Sequence, residues 1–311
     1  MLSCFILESR SNSMKGVLYS RLKNRGIIRV SGSDSYTFLQ NLITNDMSKV
    51  TNNNAIFAAL LTPQGKFLHE FMIVKGNNGE FLIDCESNRL NDLGQRLINY
   101  RLRANIQVSD MRDEIEIYAL TEDLDSKKTV ISANTLEMPY GAIRFTDPRD
   151  NALGLRVMLP IDTGENSLKS LNYAPAHHLD YEKNRLKLGI PEGSKDFDVE
   201  KSTLAEIGFE RLNGVDFSKG CYIGQEVTTR MKQRGTARKK LLVVKVFGNP
   251  PPPGTPIYAG DKEVGQIKSS CGNLAIAIVQ RNYLELEKST PLKTNNLTVI
   301  PYTYTSFSHN E

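Results

Sequence analysis

The sequence has only four cysteines, Cys4, Cys85, Cys221 and Cys271, and none forms a Cys-x-x-Cys pair. Spacing therefore defines neither a zinc site nor a disulfide framework, and a reducing cytoplasmic location is expected. Long apolar runs are also missing. Residues 55–61 and 275–279 fall far short of the roughly 18 residues of a spanning helix, so no membrane partner is expected. No positive charge precedes the short apolar stretch 1–7, which makes a poor secretory leader, and Met14 is an alternative start. A net charge of +4 and a pI near 8.7 are too mild for a protein that coats nucleic acid. The chain shows neither an RNP-type nor a KH-type signature, so direct binding of tRNA is not expected. No solenoid-type period is visible.

What is present is ordinary globular material: 40% hydrophobic and 24% charged residues over 311 positions. That length exceeds the range in which one core keeps growing, which implies two or three packed units. Residues 26–30, 56–61, 67–74, 81–85 and 106–108 have strand character. Helix-like spacing appears at 36–42 and at Leu90, Leu93, Leu97 and Ile98, giving a βαβββαβ order. Thr62-Pro63-Gln64-Gly65 supplies the turn of a hairpin. Strands at 115–118, 142–145 and 155–159 open a second sheet, followed by a helix expected over about 177–188. Beyond Arg238 come short strands and turn signals, which read as a small β-barrel or sandwich, with residues 250–253 forming a stiff proline connection inside it. The expected class is α+β, with one part over 15–112, a second over 113–237 and a barrel over 238–311.

The most informative stretch is Lys219-Gly220-Cys221-Tyr222-Ile223-Gly224-Gln225-Glu226. Together with Phe38-Leu39-Gln40, Thr44-Asn45-Asp46, Gly65-Lys66, residues 100–103 and the Arg185, Gly189, Pro191 spacing, it resembles the YgfZ family. That resemblance covers most of the chain. It implies the three-part architecture of the glycine-cleavage T-protein: two α+β parts around a central folate channel and a C-terminal antiparallel barrel. It also implies tetrahydrofolate or a derivative as cofactor. Iron–sulfur proteins or cluster assembly factors are the implied partners, with cluster-dependent enzymes such as tRNA-modifying enzymes as the beneficiaries. The alternative is a tetrahydrofolate-dependent aminomethyltransferase, against which stand the cysteine in the signature and the absence of the enzyme's paired aspartates.

Candidate residues follow. Cys221 is the candidate reactive group; Lys219 would lower its pKa and Glu226 would raise it, and the sequence does not say which prevails. Gly220 and Gly224 are expected to permit close approach around it. Glu70 or His69 is expected to take the place of the folate-contacting carboxylate, and Gln225 and Glu226 to line the same site. Arg185 is read as a helix-surface guanidinium gripping a folate carboxylate or a cluster of backbone carbonyls, and its removal should leave the fold intact. Six positive charges fall within residues 230–240. Of these Lys232, Arg234 and Arg238 are candidates for a folate polyglutamate tail, the plain reading being a solvated face.

Overall fold

The computed structural model describes residues 16–122, 136–177, 179–235, 237–285 and 291–302. Cys4 and Met14 lie outside them. The chain opens with β1 (Val17–Arg21), then runs β2 (Arg25–Ser31), α1 (Ser35–Leu42), β3 (Ile56–Leu61), β4 (Phe67–Lys75), β5 (Phe81–Glu86), α2 (Leu90–Tyr100) and β6 (Gln107–Asp110). Strands β2 to β6 form an antiparallel sheet in the order β3-β4-β5-β2-β6, which is the βαβββαβ unit expected from periodicity. Next come β7 (Ile115–Glu122), β8 (Ile143–Thr146), β9 (Leu155–Pro160), α3 (Gly164–Ser170), β10 (Ala174–Pro175), α4 (Asp180–Lys187), α5 (Gly193–Asp196), α6 (Leu204–Ile207) and α7 (Gln225–Arg234). The last unit holds β11 (Lys239–Val246), β12 (Pro256–Ala259), β13 (Lys262–Cys271), β14 (Leu274–Gln280), α8 (Arg281–Glu285), β15 (Leu292–Thr294) and β16 (Leu297–Pro301).

The second sheet has the order β10-β1-β7-β9-β8. Strand β1 was not anticipated, and it crosses the expected division at residue 112 by pairing antiparallel with β7 and parallel with β10. A lone five-residue strand has no local partner to reveal it. Strands β11 to β16 close into a barrel in the order β11-β14-β13-β12-β15-β16. Its last two strands were likewise unassigned, and α4 is shorter than the helix expected over 177–188.

The packing explains why β4 is buried at every position from Phe67 to Val74 rather than at every second one. Its Phe67, Met72 and Val74 face a core shared with the second sheet, through Ile117, Ala119 and Met158. On its other face, Leu68, Phe71 and Ile73 meet Leu39, Leu93 and Leu97 from α1 and α2. The barrel rests its outer residues Val243, Leu274 and Ile276 on Leu186 of α4. The two sheets and the barrel thus converge on α4 and the segment that follows it.

Candidate functional site

Charged residues inside apolar strands are the informative exceptions to burial, since each needs a partner. Here they meet at one place. Arg25 of β2 donates from Nε to Asp84 Oδ1 at 2.6 Å and from Nη1 to Glu70 Oε1 at 2.5 Å. Arg156 of β9 reaches across the inter-sheet core to Asp84 Oδ2 at 2.6 Å, and its Nη2 donates to the Tyr181 hydroxyl at 2.8 Å. Arg149 makes a forked pair with Asp147, at 3.0 and 2.8 Å, and also donates to the Tyr181 hydroxyl. Arg185 joins the cluster to the barrel through Asp196 at 3.0 Å and Ser269 Oγ at 2.9 Å.

In this buried cluster four guanidiniums, of Arg25, Arg149, Arg156 and Arg185, face five carboxylates, of Glu70, Asp84, Asp147, Glu192 and Asp196. Burial opposes the charge on Glu192, but Arg185, Arg25 and Arg149 outweigh it and hold its carboxyl down at about 2. Burial likewise opposes the charge on Arg25, yet Asp84, Glu70 and Glu192 raise its pKa well above the ordinary value. Despite that density of charge, both Glu192 oxygens, Glu70 Oε2 and Arg149 Nη1 have no hydrogen-bond partner among the described residues. Buried polar atoms left unmatched are uncommon and mark a place where something polar belongs.

The expected folate set does not assemble as one group. Glu70 faces the cluster, whereas His69, its neighbour on β4, points to α2 and places Nε2 2.9 Å from Asp92 Oδ2. Arg185 is a correction: it is fully buried, not on a helix surface, and its donors are taken by Glu182, Ile190 O, Asp196 and Ser269. It has no donor left with which to grip a folate carboxylate. Gln225 and Glu226 start α7, beside the hairpin turn at Gly65. At roughly 3.3 Å per residue that turn lies about 16 Å along β4 from Glu70. Glu226 is exposed and ion-paired with Arg230.

Around the signature the geometry is that of a docked loop. Gly224, with φ +83°, packs so tightly that a Cβ would stand 2.8 Å from Thr62 O, and a Cβ on Gly65, with φ +70°, would stand 2.9 Å from Val227. Both glycines are therefore required by contact. Gly220 is not: a Cβ there would meet open space, which corrects the expected close approach on that side. Lys219 does not face the thiol. Its Nζ donates to the carbonyls of Gln40, Ile43 and Asn45 at 2.6–2.7 Å. Asp216, unremarked in the sequence, ties the loop by accepting from Ser218 and Lys219 amides and pairing with Lys49 at 2.6 Å. Thr44 and Asn45 add bonds to Gly214 O and Asn213 O, so the Thr-Asn-Asp motif serves to hold this loop. Cys221 is left exposed at its apex.

Of the basic candidates, Lys232 is engaged by Glu210 at 2.7 Å and lies 3.8 Å above the Phe217 ring, while Arg234 and Arg238 are exposed. None is bonded to the carboxylate cluster. Residues missed from sequence are Arg25, Asp84, Asp147, Arg149, Arg156 and Glu192. The usable signal was a single charge inside an apolar strand, as in Phe-Leu-Ile-Asp-Cys at 81–85 and Leu-Arg-Val-Met-Leu at 155–159.

His69 provides a pH-dependent consequence. Burial, assisted by Arg89, lowers its pKa to about 4 against an ordinary 6.5. Between those values the unfolded chain binds a proton that the folded chain refuses, so stability falls as pH drops from 6.5 to 4, by on the order of 3 kcal/mol. In urea titrations over this range His69→Gln, which keeps a donor for Asp92, should show a flatter dependence; slopes equal to wild type would refute the assignment.

Comparison with known proteins accords with this architecture. Residues 238–303 match the family described as CAF17, C-terminal beta-barrel domain. The crystal structure of glycine cleavage system aminomethyltransferase T from Bartonella henselae superposes with a TM-score of 0.73, covering 92% of this chain and 84% of that one at 14% identity, a likeness of fold. In sequence, the chain is 30% identical to the "Iron-sulfur cluster assembly factor IBA57 homolog, mitochondrial" of Coccidioides immitis, over 78% of this chain and 62% of that protein. It is 32% identical to the Neurospora crassa homologue, over 72% and 52%. The chain thus spans only about half to three-fifths of the length of these fungal relatives. Relatives carrying the word mitochondrial in their names overturn the expectation of a cytoplasmic location. The human protein of the same name is 30% identical over 83% of this chain and 76% of its own length. At that identity and coverage, and with the T-protein fold beneath it, the chain belongs to the IBA57 family.

Proposed function

We propose that this protein is a tetrahydrofolate-binding accessory factor in iron–sulfur cluster assembly or repair, with the folate held at the buried carboxylate cluster and the cluster chemistry met at Cys221. The observation carrying the folate half is the set of orphaned atoms. A pterin edge offers amino and ring N–H donors beside a carbonyl acceptor, which matches Glu70 Oε2 and the Glu192 oxygens as acceptors and Arg149 Nη1 as donor. The buried excess of one carboxylate favours such a donor-rich ligand. When bound, a reduced folate supplies nitrogens able to carry a one-carbon unit; Glu70 and Glu192 orient it, and the guanidiniums keep both carboxylates in place.

The iron–sulfur half is supported by the printed names of the relatives and by the exposed thiol. Clusters take about four protein ligands, and among the described residues no three His, Cys, Asp or Glu converge on a metal position. Cys221 therefore contributes a ligand to a cargo cluster otherwise held by a partner protein, with cluster-dependent enzymes, tRNA-modifying ones among them, as the beneficiaries. Aminomethyl transfer rests on the fold alone.

Calorimetry with tetrahydrofolate tests the folate half. Wild-type protein should bind, and Glu192→Gln should weaken binding by about 10- to 100-fold, the loss of a hydrogen bond to a charged group. No heat at near-millimolar folate, or equal affinities in a folded variant, would refute it.

A further inference from the structure

Two openings meet on the outer side of α7, away from the carboxylate cluster. One is a groove of about 470 Å³ between α6, α7 and the segment before the signature, with Leu204, Val215, Phe217 and Met231 as its apolar part. The other, of about 590 Å³, is lined by Arg238, Lys239, Gln280, Arg281 and Asn282 at the end of the barrel. Arg281 borders both, and its amide is bonded to Arg238 O at 2.9 Å, so the two openings adjoin.

The charge along this surface is one-sided. Arg211, Lys232, Arg238 and Lys239 line it, and Glu210, the one carboxylate among the described lining residues, is already paired with Lys232. Arg211 donates to Gly189 O and also feels Asp150, so the rim charge rests on Arg238 and Lys239. Arg234 adds an exposed cation at the end of α7. An apolar slot of this size takes one or two side chains, and the cationic rim selects and steers an acidic approach.

We propose that this surface docks an acidic segment of a partner protein, with apolar side chains seated between α6 and α7 and flanking carboxylates on Arg238 and Lys239. A folate polyglutamate tail shares the charge but has nothing to fill the apolar slot. Single-stranded RNA needs open aromatic faces for stacking, and the Phe217 ring is covered by the Lys232 ammonium at 3.8 Å. The docking stands independently of the folate site. Cys221 is not among the residues that line either opening.

Fluorescence anisotropy on the full chain at low salt tests this with four labelled probes. These are a peptide of acidic residues around one leucine and one phenylalanine, the same peptide with serine at both apolar positions, pentaglutamate, and a single-stranded RNA of equal charge. The first should bind, and the serine peptide and pentaglutamate should bind at least about tenfold more weakly, as expected for loss of buried anchors. Two variants, Met231→Glu in the slot and Arg238→Glu with Lys239→Glu on the exposed rim, should each reduce binding by a similar factor while thermal midpoints hold. Cys221→Ser should change nothing. Failure of the first peptide to bind, equal binding of pentaglutamate, tighter binding of RNA, or affinity indifferent to Met231→Glu and to the rim variant would each overturn the proposal.

Discussion

Arg185→Met is expected to destabilise the protein by about 3–5 kcal/mol, the range for removing one partner from a buried ionic network. The guanidinium is fully buried and its pKa is raised, because Asp196, Glu192 and Glu182 outweigh the cost of burial. Its loss would leave Asp196 uncompensated, and Glu192, whose side chain has no hydrogen-bond partner among the described residues, would lose the ion pair with Arg185 at 3.7 Å. The bond to Ser269 Oγ would go too, and with it a tie between α4 and the barrel. Methionine fills much of the volume but none of the charge. Urea unfolding at neutral pH should show a lowered midpoint, with Arg185→Lys intermediate because one ammonium cannot reproduce the fork. A loss below about 1 kcal/mol would mean that the carboxylates find other donors and that the network is looser than its distances indicate.

Cys221→Ser is expected to abolish most of the proposed support of iron–sulfur enzymes in cells lacking the wild-type chain, while folding and the proposed tetrahydrofolate binding are unchanged. The thiol is exposed and no Cβ-sized obstruction lies at Gly220, so the substitution disturbs no packing. What it removes is a soft ligand and nucleophile, for which a hydroxyl is a poor replacement. Cys271→Ser, in the barrel, serves as the control and should retain activity. Loop integrity is checked separately through Lys219, whose three carbonyl contacts hold the segment whether residue 221 is cysteine or serine. Full restoration of enzyme activity by Cys221→Ser would make the thiol dispensable and return the signature to a structural role.

Much of this was legible one segment at a time. The first sheet followed from periodicity, because each strand and helix there shows its own apolar pattern. The barrel followed from short strands and turn residues, and the signature stood out by its glycines around a single cysteine. Pairings between distant segments did not declare themselves: β1 belongs to the sheet of residues 115–160 because its partner β7 lies almost a hundred positions on. The same limit governed Arg185, where sequence gave a charged residue on a short helix. Only the meeting of α4 with Asp196 and Ser269 turned it from a ligand-gripping candidate into a buried strut. Local propensity and hydrophobic spacing are properties of neighbouring residues and so can be read along the chain. Whether a charge is spent on the protein itself or left over depends on which carboxylates the tertiary fold brings within about 3 Å, and among the described residues it left Glu70 Oε2, both Glu192 oxygens and Arg149 Nη1 without a hydrogen-bond partner.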